Sequence, residues 1–402
     1  MRVLYVSDVY FPRVNGVSSS IQTFRRELER LGHETMLVAP AYLRPDAADR
    51  NIVRVDSRAV PFDPEDRAMR RGALAAVERG LDAEPFDLVH VQTPFLAHYA
   101  GVRLARRRGL PVVATYHTLF EEYLYHYVPL VPRGLMRAAA RRISRAQCDA
   151  LDAVVVPSTA MRDTLERYGV RTPVEIVPTG IPLLEFSGGD GLAFRAEHGI
   201  APTRPLLVYV GRVAFEKNIE FLLRVLARVR REVTDALLVV CGEGPASARL
   251  ARLARELGIE DAVRFVGYLD RATRLLDCYR AADAFVFASR TETQGLVLLE
   301  AMALGVPVVS TAVMGTRDIL AAARGALVAE EDEADFAACV TRVLRDPLLR
   351  AALGAEGRDY ARGWNAPALA QRMEAFYRAV LDRAGARAEG RTARPAAGNA
   401  GA

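Results

Sequence analysis

The stretch Ser289–Glu300, S-R-T-E-T-Q-G-L-V-L-L-E, connects a predicted strand to a predicted helix. An apolar run over 283–288 predicts the strand that leads into it, and the run from about Gly295 to Leu304 predicts the helix that leaves it. G-V-P at 305–307 ends this helix before another β-branched run that is typical of a strand. Strand, loop, helix and strand in this order form half of a parallel α/β unit, so we expect an α/β protein with parallel sheets.

Two acidic residues of this stretch are spaced to bind a long polar ligand. Glu292 lies in the loop and Glu300 inside the helix, and a rise of about 1.5 Å per residue separates them by roughly 10 Å. That is the reach of a nucleotide sugar from ribose to hexose. Between them, the first-turn amides of Gln294, Gly295 and Leu296 can face a diphosphate. Two glutamates at this spacing also occur by chance, so the site requires partners elsewhere.

Composition indicates a globular protein of two domains. The chain has 402 residues, of which 51% are hydrophobic and 26% charged, and a single core stops growing below this length. The start of the chain reads as a strand, which predicts no signal peptide, and no apolar run reaches the length of a membrane span. The cysteines lack metal-ligand spacing, so we expect buried thiols in a reducing cytoplasm: Cys148, Cys241, Cys278 and Cys339.

The first half opens like a Rossmann unit. Val3 to Ser7 predicts a buried strand, Ser18 to Leu31 an amphipathic helix, and 34–39 the next strand. The loop between the first strand and the helix ends in Asn15-Gly16, where a positive φ is easily reached. The amides of Gly16 and Val17 at the helix start can hold an anion, although a plain turn explains one glycine equally well.

Further strands are predicted at 88–91, 112–115 and 153–156. Ligands collect at the carboxyl ends of strands in open parallel sheets, so the residues that follow these strands are candidates for a site. His117 follows its strand directly and precedes the aromatic and acidic run F-E-E-Y at 120–123. Such a histidine either contacts a ligand or packs as a capping group, and both interpretations stay open.

Two basic stretches, 101–108 and 132–147, contain no acidic residue. A helical wheel places Leu135, Met136, Ala139, Ile143 and Ala146 on one half of the second stretch. The other half carries its arginines: Arg133, Arg137, Arg141, Arg142 and Arg145. The stretch predicts a helix on an anionic membrane surface or, alternatively, a surface helix whose apolar side packs on its own domain. Nucleic-acid binding is not expected, because none of its usual modules is visible.

The second half begins after a turn-rich segment, and we place a linker at 183–204. Leu206 to Val210 predicts a strand that ends in G-R-V-A-F-E-K-N at 211–218. Arg212 and Lys217 in this loop suit a diphosphate, since one is a planar fork and the other a point charge. A solvated surface pair is the alternative, and the two glutamates downstream favour the diphosphate.

The remaining loops and the end of the chain complete the prediction. G-E-G-P at 242–245 follows a strand but lacks the third glycine of a dinucleotide fingerprint, so a nicotinamide or flavin site is not expected. Tyr268 follows another strand and is placed to contact a base. Pro367 opens a long helix to about Ala384, and the composition of 385–402 predicts disorder.

These motifs together resemble the GT-B-fold glycosyltransferases of family 4. The matching segments are S-D-V-Y-F-P-R-V-N-G-V at 7–17, P-T-G-I at 178–181, 211–218, 242–245 and T-E-T-Q-G-L-V-L-L-E-A-M-A-L-G-V-P-V-V at 291–309. The resemblance implies two Rossmann-like domains facing across a cleft, an acceptor-side domain over 1–182 and a nucleotide-sugar domain over 205–366. It also implies that the helix at 367–384 crosses back to the first domain.

The resemblance assigns roles position by position. Arg212 and Lys217 would bind the donor diphosphate and Glu300 the ribose. Glu292, with the amides of Thr293, Gln294, Gly295 and Leu296, would bind the sugar. Gly16 would lie at the diphosphate and His117 near the reacting sugar. Such enzymes are usually retaining and need neither a metal nor another cofactor; the UDP- or GDP-linked sugar is a substrate.

Within the family, T-Y-H-T at 115–118 and T-Q-G at 293–295 are most similar to glycolipid synthases that act on diacylglycerol. Leu119 and Phe120 depart from the more polar residues expected beside His117, which leaves the acceptor contacts open. We therefore expect a cytoplasmic hexosyltransferase, peripheral at the inner face of the membrane, with a glycerolipid acceptor. The alternatives are a GDP-mannose-dependent mannosyltransferase acting on another lipid or glycan, a nucleotide-sugar epimerase of the same fold, and an inactive sensor.

Overall fold

The computed structural model describes residues 1–42, 51–60, 63–117, 133–271, 273–322 and 324–392. Contacts divide the chain into two compact units. The first unit contains Met1–Pro157, Met161–Pro178 and the chain from Ala368 onward. The second unit contains Ser158–Ala160 and Thr179–Pro367. The predicted α/β class with parallel sheets is confirmed in both.

The first unit is built on a seven-stranded parallel sheet of order β3-β2-β1-β6-β7-β8-β9. Its strands are β1 (Arg2–Val6), β2 (Glu34–Pro40), β3 (Ile52–Val55), β6 (Leu88–Val91), β7 (Val112–Thr115), β8 (Ala153–Val156) and β9 (Val174–Ile176). A separate antiparallel pair is formed by β4 (Ser57–Val60) and β5 (Asp63–Met69). Its helices are α1 (Gly16–Arg30), α2 (Arg71–Gly80), α3 (Leu96–Arg108), α4 (Arg133–Cys148) and α5 (Thr159–Arg167), and α14 (Ala366–Thr392) joins them from the chain end.

The second unit holds a six-stranded parallel sheet of order β12-β11-β10-β13-β14-β15. Its strands are β10 (Leu206–Val210), β11 (Leu237–Cys241), β12 (Val263–Gly267), β13 (Ala284–Phe287), β14 (Val308–Ser310) and β15 (Ala326–Val328). Its helices are α6 (Gly191–Glu197), α7 (Ile219–Val229), α8 (Ser247–Glu256), α9 (Arg274–Ala281), α10 (Leu296–Ala303), α11 (Thr316–Leu320), α12 (Glu333–Arg345) and α13 (Pro347–Arg362). The central strands are buried along their whole length, as expected when helices cover both faces of a parallel sheet.

Strand order defines where each sheet can bind a ligand. In the second unit the chain builds the sheet outward from β10 in one direction and from β13 in the other. β10 and β13 are adjacent, with Leu207 opposite Ala284 and Val208 opposite Phe285. Their carboxyl ends therefore form the topological switch point, where open α/β sheets bind their ligands. The same argument places the switch point of the first unit between β1 and β6.

The segment predicted as a linker, 183–204, is instead part of the second unit. Phe186, Phe194 and Ile200 are at most 4% exposed and belong to its core. The segment also contains α6, which begins at an Asp190 cap that accepts from the Ala193 amide. Glycines and serines at 187–191 suggested flexibility, but three large apolar side chains around them are enough to attach the segment to the sheet.

The long C-terminal helix α14 packs in the first unit. Met373, Phe376, Tyr377 and Val380 lie in the core of that unit together with residues of β1. The predicted disorder from 385 is wrong for its first part, because α14 continues to Thr392. All four cysteines are free thiols, of which Cys148, Cys241 and Cys278 are buried.

A buried polar chain holds α14 to the first sheet. The Tyr377 hydroxyl lies 2.8 Å from the Tyr5 hydroxyl and 2.6 Å from Nδ1 of His90. Nε2 of His90 lies 2.8 Å from the Thr115 hydroxyl. Burial lowers the pKa of His90 to about 3, so the ring is neutral and acts as one donor and one acceptor. The network therefore connects β1, β6 and β7 to the end of the chain.

We expect Tyr377→Phe to lower the free energy of unfolding of the first unit by about 1–3 kcal/mol, because buried groups of Tyr5 and His90 lose a partner. Urea unfolding of the full chain measures this. Tyr360→Phe, a half-buried position in the second unit, is the control and should change stability by a few tenths of a kcal/mol at most. Equal effects of the two substitutions would show that the network adds no stability.

Candidate active site

The loop after β10 positions two cations at the switch point of the second unit. Gly211 and Arg212 follow the strand directly, and the buried Tyr209 hydroxyl donates to the Arg212 carbonyl at 3.1 Å. A turn of 3₁₀-helix over Phe215–Lys217 then brings the chain to α7. Asn218 ends this turn in the left-handed conformation with φ 56° and donates to Glu331 at 3.1 Å. Lys217 is therefore held on an ordered turn rather than on a loose loop.

Lys217 and Glu292 form an ion pair across the switch point. Lys217 Nζ lies 2.6 Å from Glu292 Oε1, although the two residues are 75 positions apart. Their side chains are 19% and 21% exposed, so water screens the pair only in part. The contact forms because β10 and β13 are neighbours in the sheet, so the loops that follow them lie side by side. Together with Arg212 it places two cations and one acid at the edge where a ligand would bind.

The loop that carries Glu292 is attached at both ends. The Gly315 amide donates to the Glu292 carbonyl at 2.8 Å. The Gln294 side chain accepts from the Thr179 amide at 2.9 Å and donates to the Thr179 carbonyl at 2.8 Å. This side chain is 5% exposed, so it has a structural role and only the backbone of Gln294 remains for the ligand contact that the motif implies.

The helix start after this loop is one residue later than predicted. Gly295 caps α10 with φ 96°, and Leu296 is the first helical residue. A Cβ at Gly295 would lie 2.9 Å from Cγ2 of Thr316, so both conformation and packing require glycine there. The amides of Gly295 and Leu296 lie where a helix leaves its first N–H groups without partners in the helix.

Glu300 is buried inside α10 and has two partners in neighbouring elements. Glu300 is 1% exposed, and the Tyr279 hydroxyl donates to its Oε2 at 2.9 Å. The guanidinium of Arg271 forms an ion pair with Oε1. Arg271 lies in the loop after β12, next to Tyr268, which is 52% exposed. Sequence reasoning singled out Tyr268 in that loop and missed Arg271, because no motif connects an arginine there to a glutamate in α10.

Lys217 carries a compositional signal that motif reasoning also missed. Lysine and arginine together number 54, and Lys217 is the only lysine. Every other basic position uses arginine, including exposed surface positions where either residue would be tolerated. The one position that departs from this usage lies at the switch point, and an ammonium differs from a guanidinium in being a compact point charge.

The first unit places Gly16 and His117 after β1 and β7. Asn15 is extended, with φ −158°, and its side chain accepts from the Ser18 amide at 2.8 Å. Neither Asn15 nor Gly16 adopts the positive φ that these residue types easily reach, and the loop ends in an ordinary helix cap. A Cβ at Gly16 would meet no atom within 4 Å, so the fold of the first unit does not itself require glycine at this exposed position.

His117 is held by the neighbouring strand end. Nε2 lies 3.1 Å from Oε1 of Gln92, and burial lowers the pKa of His117 to about 4. The ring is neutral near pH 7. If Nε2 donates to the Gln92 amide oxygen, Nδ1 is an acceptor. Leu119, Phe120 and the run at 120–123 lie outside the described residues.

The two basic stretches differ in how far their charges are paired. In α3, Arg103 pairs with Glu78 and Arg107 pairs with Asp82 at 2.6 Å. In α4, Arg145 lies 3.5 Å from Asp149, and Arg141 lies over the Tyr168 ring at 5.7 Å. Acids from neighbouring elements thus neutralise part of what the sequence suggested was an unpaired cationic run.

The apolar side of α4 is divided. Met136 is 9% exposed and faces its own unit, but Leu135 is 65% exposed and Ile143 is 39% exposed. Arg137 and Arg142 are exposed on the same helix. Of the predicted apolar side, only Met136 packs on its own domain. The helix packs there mainly through a neighbouring face, on which Ala140 and Ser144 are fully buried. Among the helices within the described residues, none has the length and apolar content to span a bilayer.

Comparison with known proteins gives the class. Residues 14–184 match Glycosyltransferase Family 4, and residues 192–360 match Glycosyl transferases group 1. Among solved structures, sucrose-phosphate synthase from Thermosynechococcus elongatus superimposes with a TM-score of 0.78 at 22% identity, covering 95% of this chain and 100% of that one. An Anabaena protein solved with UDP and glucose gives 0.76 at 15% identity, covering 94% and 100%. The fold is that of the GT-B glycosyltransferases.

Relatives at higher identity give the family. The chain is 34% identical over 320 residues to alpha-monoglucosyldiacylglycerol synthase of Streptococcus pneumoniae, covering 77% of this chain and 71% of the relative. It is 31% identical over 397 residues to GDP-mannose-dependent alpha-mannosyltransferase of Mycolicibacterium smegmatis, covering 96% and 100%. This chain belongs to glycosyltransferase family 4, and the predicted resemblance is confirmed.

Proposed function

We propose that this glycosyltransferase moves a hexose from a nucleotide-diphosphate sugar to a membrane glycerolipid, with retention of configuration and without a metal ion. The observation that carries the proposal is the 2.6 Å contact between Lys217 and Glu292 at the switch point of the second unit. It brings a cation and an acid from two separate loops to the edge of the sheet where a ligand binds. Arg212 lies on the same loop as Lys217.

The proposed chemistry follows from the charges at this edge. Breaking the bond to the sugar leaves a growing negative charge on the diphosphate, which Arg212, Lys217 and the amides of Gly295 and Leu296 would stabilise. Glu292 would accept hydrogen bonds from sugar hydroxyls. Glu300 would accept from the ribose, and Tyr268 would contact the base. Positively charged side chains would then do what a divalent cation does elsewhere, so we expect full activity in a chelator such as EDTA.

Two residues of the first unit have proposed roles at the same donor. The Gly16 amide would donate to a phosphate oxygen. The space that a Cβ would occupy at Gly16 supports this proposal, because no atom lies within 4 Å of that position. His117 would contact the reacting sugar through a neutral ring. Gln92 already binds one nitrogen of this ring, which leaves the other nitrogen for one hydrogen bond, so His117 would orient the sugar rather than supply a charge.

The glycerolipid acceptor is supported by two observations. One relative, similar to this chain over 77% of its length, is named for synthesis of a glucosyldiacylglycerol. In addition, α4 exposes Leu135 and Ile143 on one half and Arg137 and Arg142 on the other, the combination that an anionic bilayer surface attracts. A second candidate is GDP-mannose-dependent mannosyl transfer, favoured by the relative that matches 96% of this chain.

We expect Arg137→Glu with Arg142→Glu to weaken binding to anionic vesicles by at least about tenfold, because each arginine near such a surface contributes about 1 kcal/mol. Co-sedimentation with phosphatidylglycerol vesicles measures this, and pure phosphatidylcholine vesicles give the charge-independent baseline. Arg252→Glu with Arg255→Glu, exposed positions on α8 of the second unit, applies the same charge change as a control. Equal binding of both variants to anionic vesicles would remove α4 as a membrane contact.

A donor and acceptor screen tests the function. The protein is incubated with UDP-glucose, UDP-galactose or GDP-mannose in EDTA, with and without diacylglycerol vesicles, and free nucleotide and products are followed. We expect nucleotide release that depends on the lipid, and an α-linked glycolipid by NMR. Sugar conversion without acceptor would indicate an epimerase, and binding without turnover a sensor. A β-linked product would contradict retention, since the donors are α-linked.

A further inference from the structure

The carboxylate of Glu300 has two protein partners and further hydrogen-bond acceptor capacity. Tyr279 donates to one oxygen at 2.9 Å and Arg271 pairs with the other. An ionised carboxylate accepts about four hydrogen bonds, two on each oxygen. The protein therefore uses about half of this capacity and leaves one acceptor direction on each oxygen. Two vicinal hydroxyls are the ligand groups that match a pair of such directions.

Arg271 is fixed on two sides. Its guanidinium pairs with Glu300, and its Cζ lies 5.4 Å from the centre of the Phe186 ring. Phe186 is 4% exposed and belongs to the core of the second unit. Burial by itself would lower the pKa of Arg271, but the Glu300 carboxylate outweighs burial and raises it. The arginine is thus charged, and the aromatic ring and the carboxylate together define its position.

Glu300 depends on this charge. Glu300 is 1% exposed, so its carboxylate loses its hydration. Without an opposite charge beside it, a buried carboxylate turns toward water and leaves the position that its partners define. Tyr279 supplies one neutral hydrogen bond, whereas Arg271 supplies the opposite charge.

We propose that Arg271 is a positioning residue for the donor ribose, which holds the Glu300 carboxylate in the orientation that accepts from the 2′- and 3′-hydroxyls. The proposal rests on the proposed function, since it assigns a partner to the residue that binds ribose there. It places the recognition of ribose on three elements of the second unit: the loop after β12, α9 and α10.

Nucleotide binding by calorimetry tests the proposal. The probes are UDP and GDP and their 2′-deoxy analogues, and the quantity is the ratio of dissociation constants, deoxy over ribo. A site built to bind a hydroxyl rejects the analogue that lacks it, so the ratio for the unmodified protein should be at least about tenfold. Arg271→Ala should bring the ratio close to one while hardly changing the binding of the deoxynucleotide. Arg271→Lys, which keeps a charge, should restore part of the ratio.

Arg274→Ala is the matched control. Arg274 lies three residues on, is half-buried, and pairs with the exposed Glu197 rather than with Glu300, so its removal should leave the ratio unchanged. In turnover, Arg271→Ala should raise KM for the donor with little change in kcat, because ribose binds equally in the ground state and the transition state. A structural role alone would lower the stability of the protein and leave the ratio intact.

The outcomes separate the two proposals. If the unmodified protein binds neither UDP nor GDP, the proposed function fails and the role of Arg271 fails with it. If it binds ribonucleotides with a clear ratio and Arg271→Ala retains that ratio, only the role of Arg271 is wrong. Tighter binding of UDP or GDP by Arg271→Ala would also overturn it, since Arg271 would then block the ribose site. If the alanine variant does not fold, Arg271→Lys, which keeps the charge, and Arg271→Gln, which removes it, give the same comparison.

Discussion

Replacing Lys217 by alanine is expected to lower turnover by about two to three orders of magnitude, the range found when one preorganised donor to a developing negative charge is removed. Lys217 Nζ lies at the switch point, 2.6 Å from Glu292, and would move its hydrogen bonds to the diphosphate as charge grows there. The ion pair is partly exposed, so its loss should cost at most about 1 kcal/mol of stability. A large loss of activity with an intact fold is therefore the expected result.

Lys217→Arg makes the test sharper. Arginine keeps the charge, but its planar fork is wider than an ammonium and fixes different donor directions. We expect this variant also to lose at least about tenfold in kcat, with unchanged thermal unfolding. Glu216→Ala, in the same 3₁₀ turn, is the control and should retain most activity. Near-normal turnover of Lys217→Ala would exclude Lys217 from the mechanism.

The second large effect is on stability, at Gly242. The loops after β10 and β11 lie against each other: the Gly211 amide donates to the Cys241 carbonyl at 3.0 Å, and the Val213 amide to the Glu243 carbonyl at 2.8 Å. A Cβ at Gly242 would lie 2.0 Å from the Gly211 carbonyl oxygen, and its φ is 136°. We expect Gly242→Ala to destabilise the second unit by about 3 kcal/mol or more, the sum of overpacking and backbone strain.

Gly258→Ala is the matched control for this prediction. Gly258 also has a positive φ, of 68°, but a Cβ there would meet no atom within 4 Å. Its substitution carries only the conformational cost, about 1–2 kcal/mol. Urea unfolding of both variants separates close packing from backbone strain. If both variants lose the same stability, the contact between the two loops tolerates a methyl group.

Gly242 also shows what the G-E-G-P motif does. The motif lacks the third glycine of a dinucleotide fingerprint, and its two glycines have a packing role in the structure. A Cβ at Gly244 would lie 2.4 Å from the Val213 carbonyl oxygen. The two glycines let the loop after β11 pack closely against the loop that carries Arg212 and Lys217. This packing helps to position the candidate site.

Local patterns predicted most of the strands. The bounds predicted at 88–91, 112–115, 153–156 and 206–210 coincide with β6, β7, β8 and β10, because each is a short apolar run between polar loops. β3, β4, β5 and β9 were missed. S-R-A-V and D-P-E-D-R-A-M lack such a run, and I-V-R-V and V-E-I are short and interrupted by a charged residue. The linker at 183–204 was wrong because turn residues were weighed above the three apolar side chains that attach it to the core.

By itself, the sequence determined the α/β class and the family, and it predicted which loops carry the chemistry, since strand and helix periodicity and motif order are local properties. Only the tertiary structure decided that β10 and β13 are neighbours, and hence that Lys217 reaches Glu292. It likewise decided that Arg271 and Tyr279 meet Glu300, and that α4 leaves Leu135 and Ile143 exposed. Strand order and helix packing depend on contacts between residues far apart in the chain, which no local pattern records.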